Sequence, residues 1–148
     1  MTTTPQPHSR PQPTLPTGRR LTPQRRLVYD TLAAAPTHPD AEQLIAQVRR
    51  RDPSISVATV YNTVRLLADA GWILELRGLG TRTRYDANTA EHDHFTCRAC
   101  GAVEDIPAQL HGPYRLHGED LDRYRVDEVR VHALGLCDQC VVEGPGAD

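Results

Sequence analysis

Four cysteines form two pairs of identical spacing, Cys97-x-x-Cys100 and Cys137-x-x-Cys140. Two thiolates three residues apart can bind one metal ion from a tight turn, and Gly101 after the first pair permits such a turn. Both pairs together would complete a tetrahedral four-sulfur site, which suits Zn²⁺ and leaves no position open for a substrate. We therefore expect a structural zinc site. A reversible dithiol is the alternative, although neither pair opens a helix after a βαβ strand.

A second set of potential metal ligands contains no sulfur. His92-Asp93-His94 places two imidazoles on one face of an extended segment, and Asp86, Asp105 and His38 lie elsewhere along the chain. Three imidazoles with one or two carboxylates suit Fe²⁺, Mn²⁺ or Zn²⁺. If His38 joins the others, one ion bridges the two halves of the chain.

The alternative for the second set is a group of unconnected, solvated side chains, which is the usual state of a surface His or Asp. The closeness of His-x-His to Cys-x-x-Cys favours a metal site here. Four further histidines have no such context and are expected to be ordinary residues: His8, His111, His117 and His132.

Three helices are predicted in the half that contains His38. The first starts at Thr22, because threonine can cap free amides and the proline that follows it needs no acceptor. The second starts at Asp40, with Gln43 three residues on as in a capping box, followed by an apolar stripe. The third starts at Ser56 and runs to about Ala70.

The third helix has two different faces. Its expected inner face is apolar: Val57, Val60, Val64, Leu67 and Ala68. Its outer face is polar and suited to DNA: Thr59, Tyr61, Asn62 and Arg65. Strands over Trp72–Leu76 and Arg82–Tyr85 follow, joined by a glycine-rich turn, with Arg82 and Arg84 on one face. Three helices and a basic hairpin predict a winged helix-turn-helix; a generic helical domain is the alternative.

The formal net charge of −2 conceals an uneven distribution. Residues 1–84 contain 12 Arg against 6 acidic residues, whereas residues 85–148 contain 5 Arg against 13 acidic residues. Every basic residue is Arg, which favours phosphate and base-edge recognition. The charge distribution therefore favours different roles for the two halves, although a GC-rich coding sequence would produce the same preference for Arg.

From residue 93 onward the pattern changes to short strands, predicted over Phe95–Cys97, Val103–Ile106 and Arg125–Val131, with a helix near Gly118–Arg123. We expect a small α/β domain that forms a dimer, and an α+β fold overall. The expected division of the chain is a flexible tail, a winged-helix domain, an α/β dimerisation and metal-binding domain, and a C-terminal tail: 1–18, 19–86, 87–140 and 141–148.

Five prolines within the first sixteen residues, among Thr, Gln and Ser, favour a flexible N-terminal tail. The chain contains neither the apolar stretch of a signal peptide nor the roughly 20 apolar residues of a membrane span. We expect a cytoplasmic protein without a membrane partner. Its 148 residues exclude a large multidomain enzyme.

Three segments resemble the Fur family of metal-dependent regulators: His38–Leu44 its HPxAEEL element, Ser56–Asn62 its recognition helix, and His92–Gly101 its metal-binding signature. The similarity covers about residues 19 to 140. It implies a homodimer that places a recognition helix in the major groove of an inverted repeat, and represses only when a regulatory metal is bound.

The resemblance also implies roles for particular residues. Tyr61 and Asn62 would approach base edges, and Arg19 or Arg20 would reach the minor groove. Within the family the chain is most similar to the PerR branch, whose regulatory ligands match these residues in type and spacing: His38, Asp86, His92, His94 and Asp105.

In the PerR branch, bound iron reacts with hydrogen peroxide and ligand histidines are oxidised, which here would be His38 and His92. A further metal site found in the family is not expected, because Glu91 and Val129 stand where histidines are common.

Several alternatives remain at this point. The same ligands suit an iron or manganese uptake regulator of the Fur or Mur type, or a zinc-responsive regulator. From other classes, a metalloenzyme would use His92, His94 and Asp86 around an open metal, and a zinc-stabilised module would bind protein. We expect a repressor and no enzyme, with no catalytic residues and no small-molecule substrate other than metal and hydrogen peroxide.

Overall fold

The structure is a computed structural model that describes residues 18, 21–90, 92–106 and 131–142. Its helices and strands in chain order are α1 (Pro23–Ala33), α2 (Ala41–Arg51), α3 (Val57–Asp69), β1 (Leu74–Leu76), β2 (Arg84–Asp86), β3 (Asp93–Cys97), β4 (Val103–Ile106), β5 (His132–Gly135) and α4 (Asp138–Val142). Helices α1–α3 and the hairpin β1–β2 form the predicted winged helix-turn-helix, and β3–β5 form a separate small sheet.

The three predicted helix starts are confirmed. Thr22 caps α1 by accepting a hydrogen bond from the Arg25 amide. Asp40 and Gln43 form a complete capping box at the start of α2. Ser56 caps α3. The inner faces of the helices then form one core with residues of the adjoining loops: Val28, Tyr29, Leu32, Leu44, Val48, Ile55, Val60, Val64, Leu67 and Ile73.

The prediction that Val57 faces inward is wrong, because its side chain is 43% exposed. The buried stripe of α3 begins one turn later, at Val60, and includes Thr63, which is fully buried. Thr63 can be buried because its hydroxyl donates a hydrogen bond of 2.7 Å to the Thr59 carbonyl, which leaves its methyl group free to pack. The pattern of apolar residues alone could not show that Val57 is exposed and Thr63 is buried.

The hairpin is shorter than predicted. Strands β1 and β2 pair antiparallel, with Leu74 opposite Asp86 and Leu76 opposite Arg84. Arg82 therefore precedes β2 instead of lying within it. The predicted glycine-rich turn is present, and Gly78 has a φ of +81°, a conformation that favours glycine.

In the second sheet β3 is central, with β4 antiparallel on one side and β5 parallel on the other. Strand β5 was not predicted. The predicted helix over 118–123 and all but the last residue of the predicted strand over 125–131 lie outside the described residues. Helix α4 continues to Val142, past the predicted domain boundary at 140. Within the described part of the chain, no helix has the length and apolar character needed to cross a bilayer.

Candidate metal centres and DNA-facing surface

The four cysteines meet because β3 and β5 pair in parallel. Cys97 ends β3 and lies opposite Gly135, the last residue of β5. Cys137 follows two residues later, and its amide donates a hydrogen bond to the Cys97 sulfur. Near the first pair, the turn closes on Gly101, which has a φ of +73° and donates to the Cys97 carbonyl. Strand pairing thus joins two cysteine pairs that are far apart in sequence.

The sulfur atoms have the separation of a tetrahedral metal site. Ligand atoms of all four cysteines lie within 4.8 Å of one another, and the sulfurs of Cys100 and Cys137 are 3.8 Å apart. A tetrahedron with metal–sulfur bonds of about 2.3 Å has edges of about 3.8 Å. All four thiols are free. The cluster therefore fits Zn²⁺, as the sequence predicted.

The thiols differ in how readily they ionise. Hydrogen bonds from the amides of Cys100 and Cys137 lower the pKa of Cys97 to about 6. Hydrogen bonding with Cys137 and burial raise the pKa of Cys140 to about 12. The Cys97 thiolate thus forms easily, whereas the neighbouring sulfurs and burial oppose ionisation of Cys140. A divalent cation would remove that opposition, because metal ligation deprotonates coordinating thiols.

The second cluster, here called the His–Asp cluster, gathers residues from four segments. His38 lies in the loop before α2, and Asp86 ends β2. His92 and His94 lie just before and within β3, and Asp105 lies in β4 opposite His94. The structure therefore brings together all five predicted ligands, with one ligand atom of each lying within 4.8 Å of the others.

Distances in the His–Asp cluster match those between neighbouring ligands of one ion. The Nε2 atom of His92 lies 2.8 Å from Oδ2 of Asp86, 3.1 Å from Oδ1 of Asp105 and 3.0 Å from Nε2 of His94. The Nε2 atom of His38 lies 2.7 Å from Oδ1 of Asp105. Ligand atoms about 2.1 Å from a metal and at right angles to each other are about 3 Å apart.

Two atoms of the cluster have lone pairs available to a metal ion. Nδ1–H of His92 donates a hydrogen bond of 2.6 Å to the Ala90 carbonyl, so in the neutral ring Nε2 carries a lone pair pointing into the cluster. Oδ2 of Asp86 is buried and has no hydrogen-bond partner among the described residues. Buried polar atoms of this kind require a partner, and a divalent cation fits the position.

Asp105 is prepared for ligation. Burial favours its neutral form, but hydrogen bonds from His38 and Asn88, together with the charges of His38 and His92, lower its pKa to about 2. The carboxylate is therefore ionised at neutral pH and can bind a cation without first losing a proton.

Asn88 belongs to this site but was missed in the sequence. Its amide N–H donates to Oδ1 of Asp86 at 2.6 Å, and its side-chain NH₂ donates to Oδ2 of Asp105 at 3.0 Å. Its own side-chain oxygen accepts from the Ala90 amide at 3.3 Å. A signal was present, because Asp and Asn side chains commonly bond the backbone two residues on, and Asp86 and Asn88 have this spacing.

The hairpin arginines, predicted to contact DNA, are engaged within the protein. Arg84 donates to the carbonyls of His38 (3.2 Å) and Gly101 (3.0 Å), and to the side chain of Gln43 (2.8 Å). It therefore connects both clusters with the start of α2. Arg82 pairs with Asp40 and Glu42. Their proposed DNA contacts remain predictions.

The outer face of α3 presents the predicted polar residues. Tyr61 is 47% exposed, and Asn62 and Arg65 are exposed beside it. Thr59 is half-buried and its hydroxyl contacts that of Ser56 at 2.8 Å. The remaining predicted DNA contacts, Arg19 and Arg20, lie outside the described residues.

Comparison with known proteins gives a consistent result. Residues 16–111 match the model of the "Ferric uptake regulator family". The chain is 34% identical over 127 residues to the "Peroxide-responsive repressor PerR" of Staphylococcus epidermidis, covering 86% of this chain and 85% of that protein. Among solved structures it is similar to a zinc-bound manganese uptake regulator (TM-score 0.61, 28% identity, covering 81% and 92%). It is also similar to the Campylobacter jejuni peroxide stress regulator (TM-score 0.59, 29% identity, covering 80% and 89%).

The contacts of Arg84 generate a prediction. Arg84→Ala leaves two carbonyls without a donor, and hydrogen bonds from charged groups contribute about 1.5–3 kcal/mol when buried. Because this guanidinium is only half-buried, we expect the free energy of unfolding to fall by about 1–2 kcal/mol, measured by denaturant titration. Arg82→Ala is the control, with a smaller expected change, below about 1 kcal/mol, since its guanidinium is 56% exposed even though its partner Asp40 is buried. Unchanged stability of Arg84→Ala, with the slope of DNA affinity against salt reduced by about one, would indicate a phosphate contact instead.

Proposed function

Because this chain belongs to the ferric uptake regulator family, we propose that it is a metal-dependent transcriptional repressor that binds inverted-repeat operator DNA as a homodimer. The observation that carries the proposal is the His–Asp cluster, which joins His38 of the winged-helix half to four ligands from the hairpin and the second sheet. The affinity of the cluster for an ion would therefore depend on how the two halves are arranged.

The two clusters have different roles in this proposal. The four cysteines hold Zn²⁺ in a closed site with no position for substrate, which stabilises the second sheet. The His–Asp cluster holds Fe²⁺ or Mn²⁺, because nitrogen and oxygen ligands in this number suit those ions. Solved relatives are described as a zinc-bound manganese uptake regulator and as a peroxide stress regulator.

Metal would act on DNA binding by changing the relative populations of two dimer shapes. In the metal-free protein His38 can move away from Asp86, His92 and His94, whereas the bound ion holds it among them. The ion thereby favours the dimer shape in which the two recognition helices fit successive major grooves. Metal and operator DNA then strengthen each other's binding equally, by about 1–3 kcal/mol.

On the DNA side, we propose that α3 is the recognition helix. Its exposed residues Tyr61 and Asn62 approach base edges, supported by Thr59 and Arg65. Arg19 or Arg20 reaches the minor groove. A protein that reads promoters acts where the DNA is, so we propose that this chain works in the cytoplasm.

We propose hydrogen peroxide as the signal because the similar Staphylococcus epidermidis protein is named a peroxide-responsive repressor. Fe²⁺ held by the cluster would supply the electron transfer that activates peroxide. In the overall reaction, one peroxide oxygen would enter a C–H bond of a ligand imidazole, and the other oxygen would leave as water. His38 and His92 are the proposed targets, and an oxidised imidazole would no longer hold the two halves together.

Uptake regulation by manganese or iron is the alternative within the family, since a manganese uptake regulator has a similar structure. A metalloenzyme would instead turn over a substrate at the His–Asp cluster, and a protein-interaction module would lack salt-dependent DNA affinity. The experiments below separate these cases.

The first prediction from the proposed function concerns His92. In the zinc-loaded wild type, Mn²⁺ should raise affinity for an inverted-repeat duplex by about 5- to 150-fold, measured by fluorescence anisotropy. His92→Ala should abolish this increase while the protein remains a folded dimer. His132→Ala is the matched control, because it removes an imidazole from the same sheet but outside the cluster. An unchanged Mn²⁺ effect in His92→Ala would contradict the assignment.

The second prediction concerns Cys97. Cys97→Ser should lose stoichiometric zinc, measured by metal analysis, together with the cooperative thermal transition, because structural zinc sites contribute on the order of 10 kcal/mol to folding. Thr96→Ser, a change at the neighbouring buried residue, should keep both. A zinc-free Cys97→Ser protein with wild-type melting behaviour would show that the cluster is not structural.

The third prediction identifies the signal. Iron-loaded protein treated with peroxide should gain one oxygen atom on His38 or His92, detected by peptide mass spectrometry, and should release operator DNA. Manganese-loaded protein is the control and should remain unmodified. If iron-loaded protein keeps unmodified histidines and stays on DNA, the uptake-regulator alternative is correct.

A further inference from the structure

Asn88 is the one described residue that donates hydrogen bonds to both carboxylates of the His–Asp cluster. Its backbone N–H reaches Asp86 and its side-chain NH₂ reaches Asp105. It lies in the short segment between β2 and β3, two residues after Asp86. Asn88 is half-buried and is itself fixed, because its side-chain oxygen accepts a hydrogen bond from the Ala90 amide.

The two hydrogen bonds from Asn88 engage one oxygen of each carboxylate and leave the other oxygen facing the imidazoles. In Asp105, Oδ2 accepts from Asn88, whereas Oδ1 faces the Nε2 atoms of His38 at 2.7 Å and His92 at 3.1 Å. In Asp86, Oδ1 accepts from Asn88, whereas Oδ2 has no hydrogen bond and lies 2.8 Å from Nε2 of His92. The oxygens left available are the two that point at the imidazole nitrogens.

We infer that Asn88 is a positioning residue that limits Asp86 and Asp105 to one metal-ligating oxygen each. The inference rests on the proposed metal-binding role of the cluster. With one atom from each of its five residues, the cluster supplies five donors. A carboxylate free to turn can instead bind an ion through both oxygens, as carboxylates do in other sites.

The same contacts connect Asn88 to His92. The Ala90 amide donates to Asn88, and the Ala90 carbonyl accepts from Nδ1–H of His92 at 2.6 Å. A change of the Asn88 side chain therefore acts on the Asp105 carboxylate directly and on the His92 imidazole through Ala90, whereas the backbone bond to Asp86 is kept. Residues that orient metal ligands in this way typically change metal affinity by about 10- to 100-fold when replaced.

The test uses full-length, zinc-loaded protein and Co²⁺ as the probe, because the visible spectrum of Co²⁺ reports its coordination. Asn88→Ala removes both side-chain hydrogen bonds, the one to Asp105 and the one from the Ala90 amide, and keeps the backbone bond to Asp86. Asn88→Asp keeps the shape but places a carboxylate where the donor was. We expect Co²⁺ affinity, measured by chelator competition, to fall about 10-fold in Asn88→Ala and about 100-fold in Asn88→Asp. The Co²⁺ spectrum of Asn88→Ala should shift towards higher coordination, since Asp105 can then offer both oxygens.

Thr89→Asp is the matched control, because it adds the same charge at the next residue, which is exposed. It should keep wild-type affinity and spectrum. Asn88→Ala with a wild-type spectrum and affinity overturns the inference but leaves the proposed function intact. A wild type that binds no Co²⁺ at this cluster overturns the proposed function, and the inference with it.

Discussion

The convergence of three imidazoles and two carboxylates within 4.8 Å is the constraint on which the structure depends. Asp105 is ionised at neutral pH, Asp86 has a buried oxygen without a hydrogen-bond partner among the described residues, and His92 directs a lone pair at both. Without a cation this arrangement leaves negative charge and lone pairs facing each other in a partly buried place, which is costly. One divalent ion would remove the cost only while His38 stays beside the other four residues. In the proposed mechanism, the free energy of metal binding would thereby favour one arrangement of the two halves.

His38 is not held by metal alone. Its amide donates to the Val103 carbonyl at 2.9 Å, its carbonyl accepts from Arg84, and the next residue, Pro39, accepts from the Tyr85 amide at 3.0 Å. These backbone contacts bring the start of α2 to the second sheet before any side chain ligates. The ion therefore has to shift an existing equilibrium and does not have to assemble the interface. This agrees with a coupling free energy of a few kcal/mol, well below the full free energy of binding an ion.

Sequence reasoning succeeded where local chemistry determines the outcome. Helix starts at Thr22, Asp40 and Ser56 depend on neighbours three residues away, and both ligand sets were recognisable from residue type and spacing. It could not anticipate contacts that long-range packing decides. Arg84, whose DNA contact stays a prediction, bonds three acceptors from distant segments through its guanidinium. Strand β5 has too little alternation to be recognised, and its parallel pairing with β3 is what defines it.

Strand β3 joins the two metal centres and explains why they occur together. It carries His94 near its start and Cys97 at its end, so the two side chains are three residues apart on one rigid element. Zinc at the cysteines would fix β3 against β5, because Cys97 lies opposite Gly135 and Cys137 follows directly. With β3 fixed, the antiparallel register with β4 places Asp105 opposite His94. A closed four-sulfur site would thus help a small sheet, whose described strands bury few apolar residues, to hold the ligands of the His–Asp cluster in place.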